Sequence, residues 1–405
     1  MRALRRFFHF LLELQGAVIV GATLVREFGG VVIEVRRRSN AKPRCPRCDR
    51  VMGGERIMKR QCWRHRDLIG RRCYVAADVR EARCRVHGRR IERVPWASPG
   101  AKHTRSFDRH VASLVQVADK TAAARVFGVA WRTVGRIVGR VVDELLPKDL
   151  LDDLEEIGVD ETSYKRGHRY LTIVSNLLTG RVVWVGEGKT AATLGQFFEK
   201  LGAERCRRLK LVAMDMGEAY RNAVKSYAPQ ADIVYDRFHV VKLLLEAVDE
   251  IRREECNRLE GPARKALKNT RFAFLRNPRH QTLRDIVAIR RVQTTNDRLA
   301  RLYQLRVDFE DLWEIDEEDL ARDFIKFWTR SALLSRQGPL RRFAHTVREK
   351  VDGILGFFRH RGVTNASLEG MANKIKLIIH RAFGFRDVGH LMAMVHLCCS
   401  GIQLP

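Results

Sequence analysis

A chain of 405 residues, 45% of them hydrophobic and 31% charged, has room for two or three domains with their own cores and is too apolar to be disordered. Seventy-six Lys and Arg against 48 Asp and Glu leave a formal charge of +28, spread along the whole chain, which excludes a basic tail as its source. A ribosomal or membrane-surface protein would share this balance. A polyanionic partner accounts for it better, because each neutralised phosphate releases condensed counterions. The opening MRALRRFFHFLLELQGAVIVGATLV has the outline of a signal peptide, but His9, Glu13 and Gln15 interrupt its apolar run. No apolar stretch is long enough to span a bilayer, so no membrane partner is expected. Nine cysteines, an odd number that includes one CxxC, fit metal-bound thiolates in a reducing cytosol better than disulfides.

Residues 1–99 read as a first domain, with a short helix, the strand-like alternation VVIEVRRR and most of the cysteines. Cys45 and Cys48 form one knuckle; Cys84 and His87 form a second after a β-rich interval. Thiolate and imidazole suit tetrahedral Zn²⁺, and two ligands from each tight turn make a zinc ribbon. The competing reading is a pair of chance cysteines near a turn. Cys62 and Cys73 lie between the knuckles, as alternatives to His87 or, more simply, as buried thiols. Four protein ligands leave no open position, so the zinc is structural. Arg44, Arg47, Arg50, Lys59 and Arg60 around it suggest contact with phosphates.

Residues 100–150 form a second, helical domain. In TAAARVFGVAWRTVGRIVGRVV, Ala124, Gly128, Val134 and Ile137 fall at helix-turn-helix offsets: a small residue for close helix approach, a glycine for the turn, two apolar residues to seat the second helix. That helix starts near Ala130 and exposes Arg132, Thr133, Arg136 and Arg140 toward guanine edges and phosphates. A helical hairpin in any small bundle fits the same short pattern, and Ala130 stands where a capping Ser or Thr is expected. Pro147, Lys148 and Asp149 mark a linker.

Residues 151–405 form the third block. EEIGVDET, RYLTIVSN and RVVWVG read as three meandering strands. A helix carrying Leu194, Phe197, Phe198 and Leu201 follows, then RLKLVAMD, a second helix, ADIVYD and a third helix. Three meandering strands followed by α/β alternation is the ribonuclease-H-like order. In that fold Asp160, near the end of the first strand, lies beside Asp215, at the end of the fourth. A third acid must come from a later helix. In TNASLEGMANKIKLIIHRAFG, Leu368, Met371, Ala372, Ile375 and Ile379 share one face, and Glu369, Asn373 and Lys376 share another. Asn365 or Ser367 caps that helix.

Three carboxylates suit a hard cation such as Mg²⁺ or Mn²⁺, and two such ions activate an attacking hydroxyl and stabilise a leaving oxygen in phosphodiester chemistry. Any one of these acids alone would more simply be a solvated surface group. Glu161 should point away from Asp160, since strand neighbours alternate faces. Asp236 and His239 are candidates for supporting the acids or positioning phosphate, with a purely structural hydrogen-bonded pair as the alternative. A long charged helical stretch, about 243–358, separates the second acid from the third. Its Trp313 and Trp328 pack in a helical core or, less simply, stack on an unpaired base.

CPRC, the helix-turn-helix, VDETSYKRGHRYLTIV, AMDMGEAYRNAV, ADIVYDRFHVVK and TNASLEGMANKIKLIIHRAFGFRD occur in that order through nearly the whole chain. Together they resemble the ISL3 family of bacterial insertion-sequence transposases. The resemblance implies a DDE triad of Asp160, Asp215 and Glu369, with a helical insertion between the second and third acids. It implies binding of double-stranded DNA at terminal inverted repeats, metal-dependent cleavage and strand transfer into target DNA by a homodimer or larger assembly, and a bacterial cytoplasmic, nucleoid-associated location. Two positions depart from the family: His87, where a cysteine is commoner, and Asn176, where an acid is frequent. A catalytically silent DNA-binding repressor and a nuclease that cuts without joining are the competing functions.

Overall fold

The computed structural model describes residues 12–14, 16–360, 366–382, 384, 385 and 387–405, with the backbone alone at Phe28 and 366–369. The chain forms two compact units, Met1–Pro147 with Ile378–Pro405, and Lys148–Leu377. Each is a mixture of sheet and helix. No helix among the described residues is long and apolar enough to cross a membrane.

The first unit opens on β1 (Ala17–Val25), β2 (Gly30–Arg37), β3 (Gly53–Leu68), β4 (Arg71–Cys84) and β5 (Gly88–Ile91), in the sheet order β1-β2-β4-β3. β5 pairs with β4 on the edge that also carries β2. The alternation of VVIEVRRR is realised in β2: Val31, Ile33 and Val35 are buried with Trp63, Val75 and Trp96, while the charged neighbours face outward.

Three helices follow: α1 (Arg105–Val117), α2 (Lys120–Phe127) and α3 (Trp131–Leu145). Thr104 caps α1 and Asp119 caps α2, each accepting backbone N–H bonds that would otherwise be orphaned. Gly128 ends α2 at φ +62°, a left-handed conformation that glycine adopts without strain. Val134, Ile137, Val138 and Val141 bury one face of α3. Ala123 is fully buried and Ala124 partly exposed, and the Ala124 carbonyl receives the Gly128 and Val129 N–H groups.

The second unit contains β6 (Glu156–Lys165), β7 (Arg169–Asn176), β8 (Val182–Glu187), β9 (Leu211–Met214) and β10 (Asp232–Tyr235), where the sequence pattern predicts strands. The sheet order is β10-β9-β6-β7-β8. β6, β7 and β8 meander antiparallel, whereas β9 joins β6 and β10 joins β9 in parallel. Asn176 closes the β7–β8 turn by accepting the Leu178 and Thr179 N–H groups, a bond an Asp side chain would make equally well.

Helices α4 (Ala191–Leu201) and α5 (Glu218–Tyr227) cover the face of Ile157, Val159, Val212 and Met214 through Leu194, Phe197, Phe198, Tyr220 and Val224. After β10 the chain is helical: α6 (Arg237–Arg258), α7 (Leu283–Thr295), α8 (Asp297–Asp311), α9 (Glu318–Leu334), α10 (Gly338–Glu349) and α11 (Val351–Arg359), with shorter turns between them. Gly356 lets α11 press on β10, since a Cβ there would stand 2.9 Å from the Ile233 carbonyl oxygen. Trp313 and Trp328 are buried. Trp328 Nε1 donates to the Leu305 carbonyl at 2.8 Å, and Trp313 stacks on Phe358. They are core residues, so the base-stacking role is set aside.

The chain ends with α12 (Ala366–Arg381) and α13 (Val388–Cys399). The sequence groups residues 378–405 with the third block; in the structure they belong to the first unit. The Gln116 side-chain amide donates to the Leu397 and Ile402 carbonyls, and Ser113 Oγ donates to the Pro405 carbonyl.

Candidate active site, DNA-reading helix and metal centre

Strand register brings Asp160 and Asp215 together. β6 and β9 pair in parallel with Gly158 beside Ala213; the same register carried two residues on sets Asp215 beside Asp160. Both acids share the face of Leu211 and Ala213, away from the main core. Asp160 accepts the Glu161 N–H at 2.7 Å, and Asp215 Oδ1 accepts the Gly217 N–H at 3.0 Å. Burial raises the Asp160 carboxyl above the ordinary range and the Asp215 charge adds to this; the Glu161 N–H, His239 and Lys376 oppose it.

Asp236 follows β10, whose Tyr235 lies beside Met214, so a third acid reaches the same end of the sheet. It caps α6 by accepting the Phe238 N–H at 2.7 Å and stands 3.1 Å from His239 Nδ1. The Asp236 hydrogen bond raises the His239 pKa, and the Asp215 and Asp160 charges act in the same direction. Glu161 faces the opposite way, 3.5 Å from Lys189 Nζ. On α12, Ala372, Ile375 and Ile378 are buried, and Asn373 and Lys376 are exposed. Glu369 lies on the same helix two turns before Lys376. Its side chain, with those of Ser367 and Leu368, is outside the described residues, as is Asn365.

Two contributors escape the sequence pattern. Lys350, 9% exposed at the α10–α11 junction, donates to the Met216 carbonyl and to Glu218 Oε1 at 2.7 Å, clamping the loop that carries Asp215. Tyr220 is buried on α5 with its hydroxyl 2.8 Å from Thr172 Oγ1, and burial pushes its phenol above the usual range. Tyr220 lies within the recognisable AMDMGEAYRNAV stretch; nothing in VREKVDGIL distinguishes Lys350 from its solvated neighbours.

On α3, Arg132 and Arg136 are exposed. Thr133 is half-buried, with its hydroxyl 3.4 Å from Arg136 Nη2. Arg140 differs: its Nε and Nη2 donate to the buried Asp108 carboxylate at 2.8–3.0 Å. Burial pushes Asp108 up to about 6 in spite of that guanidinium.

Two family models match this chain. One, described as a transposase, covers residues 157–395; the other, the helix-turn-helix domain of transposase family ISL3, covers residues 92–142. The chain is 33% identical to the transposase for insertion sequence element IS1557 of Mycobacterium tuberculosis, over 92% of this chain and 89% of the relative. It is 31% identical to the transposase for insertion sequence element IS1001 of Bordetella parapertussis, over 78% of each. The chain belongs to the ISL3 transposase family. It is an insertion-sequence transposase, an enzyme acting on DNA, with a helix-turn-helix DNA-binding domain and a DDE transposase domain.

The N-terminal unit of the transposase also holds a Cys/His cluster that could bind a metal ion. The ligand atoms of Cys45, Cys48, Cys84 and His87 lie within 4.8 Å of one another. Cys48 and Cys84 sulfurs are 3.7 Å apart, and His87 Nδ1 is 3.6 Å from Cys45 Sγ and 3.8 Å from Cys84 Sγ. A tetrahedron with metal–sulfur bonds of about 2.3 Å has edges of about 3.8 Å, so this donor set is compatible with zinc. The His87 and Val86 backbone N–H groups hold the Cys84 thiol down, to about 6, favouring the thiolate. Cys73 is buried in the sheet core and Cys62 is exposed on β3; neither belongs to the group, which His87 completes. Around the cluster Arg47, Arg50 and Lys59 are exposed, while Arg44 pairs with Asp49 and Arg60 with Glu34.

Proposed function

We propose that Asp160, Asp215 and Glu369 are the acid triad of a ribonuclease-H-like catalytic domain that cuts the ends of the insertion sequence and joins them to target DNA. The observation that carries this reading is the parallel register that sets Asp215, just past the carboxyl end of β9, beside Asp160, which lies midway along β6 and not near its end as the sequence suggests. The strand order β8-β7-β6-β9-β10 supports the fold assignment, with α6–α11 as the insertion before the third acid. The donor set is all carboxylate oxygen, which suits Mg²⁺ or Mn²⁺. Divalent ions held there supply charge stabilisation at the attacking and leaving oxygens of an in-line displacement.

The chain's own residues account for the rest. Lys350 and the Gly217 N–H fix the Asp215 carboxylate. Asp236 orients His239 toward the two acids, and Lys376 and Asn373 line the α12 side of the groove, where a scissile phosphate needs cations and donors. Water attacks the phosphorus and the bond to the 3′-oxygen breaks, leaving a 3′-hydroxyl. That hydroxyl then attacks a target phosphodiester in line at the same site.

Arg132, Thr133 and Arg136 read the terminal inverted repeats, and zinc at Cys45, Cys48, Cys84 and His87 stiffens the module that presents them. Two element ends must be handled together, so the working form is a dimer or larger assembly on DNA. The test mixes the protein with a labelled inverted-repeat end, Mg²⁺ and a target plasmid, alongside Asp160→Ala. Cleavage and joining that vanish in the variant support the proposal. Binding without cleavage by the native protein indicates a repressor, cleavage without joining a nuclease, and equal activity in the variant removes Asp160 from the site.

A further inference from the structure

A cleft of about 470 Å³ lies against the start of α3, lined by Lys120, Trp131, Arg132, Arg136, Asp387 and His390. One wall is the recognition helix; the other is the returning C-terminal segment. The two walls fit closely: a Cβ on Gly135 would stand 3.2 Å from His390 Nε2. The Arg381 guanidinium, donating to the Val117 carbonyl at 2.9 Å, ties the same segment to α1.

The charges in the cleft are unbalanced. Lys120 is only 5% exposed, yet its ammonium has no hydrogen-bond acceptor among the described residues. It lies 3.8 Å from the centre of the Trp131 ring and 5.1 Å from that of Phe385, which attract a cation but accept no conventional hydrogen bond. Arg132 and Arg136 add two exposed guanidinium groups one turn apart. Against these three cations stands Asp387, whose Oδ1 caps α13 by accepting the His390 N–H at 3.2 Å. No side chain caps α3 either, because the methyl group of Ala130 accepts nothing. The helix end therefore offers its partial positive charge to an outside anion.

We propose that this cleft seats one backbone phosphate of bound DNA, which makes the returning C-terminal segment part of the DNA-reading surface. A phosphate supplies the acceptors that Lys120 lacks, and the aromatic walls shield its ion pairs from water, which strengthens them. A contact of this kind positions the duplex and is indifferent to sequence.

The test measures binding of the full-length protein to an inverted-repeat duplex and to a scrambled duplex across a range of salt concentrations, for native protein, Lys120→Met and Asp387→Asn. Lys120→Met keeps the buried stem and should weaken binding to both duplexes several-fold and by the same factor. Its slope of log affinity against log salt should be shallower by about 0.9, the value for one lost phosphate contact. Asp387→Asn keeps a capping oxygen but removes the opposing charge, so both duplexes should bind several-fold more tightly. A Lys120→Met protein that melts normally with an unchanged slope overturns the proposal, as does a loss confined to the inverted-repeat duplex. If Lys120→Met fails to fold, Asp387→Asn decides: tighter binding supports the phosphate seat, and unchanged or weaker binding overturns it.

Discussion

Asp215 stands beside Asp160 because β9 pairs with β6 in a single parallel register, Gly158 against Ala213, and each acid lies two residues further along. The site is therefore a property of sheet pairing, and small displacements of the loop after β9 should be felt at the acids.

Gly217 tests that sensitivity. A Cβ at this position would lie 2.9 Å from Asp215 Oδ1, so Gly217→Ala has to push the carboxylate aside. Cleavage of the element end should fall by about 10²-fold, the usual result of an ångström-scale misplacement, while binding of the same duplex is retained. Equal cleavage rates would detach Asp215 from the chemistry.

Lys350 tests the other side of the loop. Lys350→Met fills the space but leaves the Met216 carbonyl and Glu218 without their donor. We expect a higher Mg²⁺ concentration for half-maximal cleavage and a lower maximal rate, with unchanged DNA affinity. Stability should fall by about 1–3 kcal/mol through the orphaned carbonyl. A changed melting point without a changed Mg²⁺ requirement would reduce Lys350 to a structural role.

Arg140 separates packing from reading on α3. Its bidentate bond to Asp108 means that Arg140→Ala strands a buried carboxylate, at a cost of about 3–5 kcal/mol. Arg132→Ala and Arg136→Ala should leave the stability within about 0.5 kcal/mol of native and weaken DNA binding instead. Thermal unfolding and fluorescence anisotropy distinguish the two classes.

The first unit should lose stability in acid. His65 and His103 are held down to about 4 by burial, below their ordinary 6.5. The unfolded chain therefore binds protons that the folded one refuses, and stability falls as pH drops from about 6.5 toward 4. Asp108, raised to about 6 from 3.8, has the opposite sign and offsets part of the loss. Melting at pH 7 and pH 5 should differ in that direction, and His65→Gln should reduce the difference.

The metal cluster predicts about one zinc per chain by elemental analysis, lost together with the fold of the N-terminal sheet in Cys84→Ser. A full-length protein that folds without bound metal would remove the zinc assignment.

Much of this was legible in the sequence, for local reasons. Ile157 and Val159, Val31 and Val35 alternate because each strand buries one face, and the cysteine knuckles repeat a ligand spacing set by a tight turn. Asp160 and Asp215 each close a short apolar run, which singles them out, but β6 runs on to Lys165, so Asp160 sits midway along the strand because the antiparallel pairing with β7 continues past it. Long-range partners were not legible. The Arg140 side chain looks like a free guanidinium until Asp108, 32 residues earlier, is folded against it. Lys350 looks solvated until α10 and α11 bring it to Met216, 134 residues earlier. The return of residues 378–405 to the first unit rests on contacts such as Gln116 with Leu397 that leave no periodic mark.

The most direct test of the triad is Glu369→Gln, assayed with a labelled inverted-repeat end, Mg²⁺ and target plasmid. This variant should bind the end as tightly as the native protein and neither cleave nor join it. Cleavage and joining at the native rate would contradict the assignment of Glu369 as the third acid.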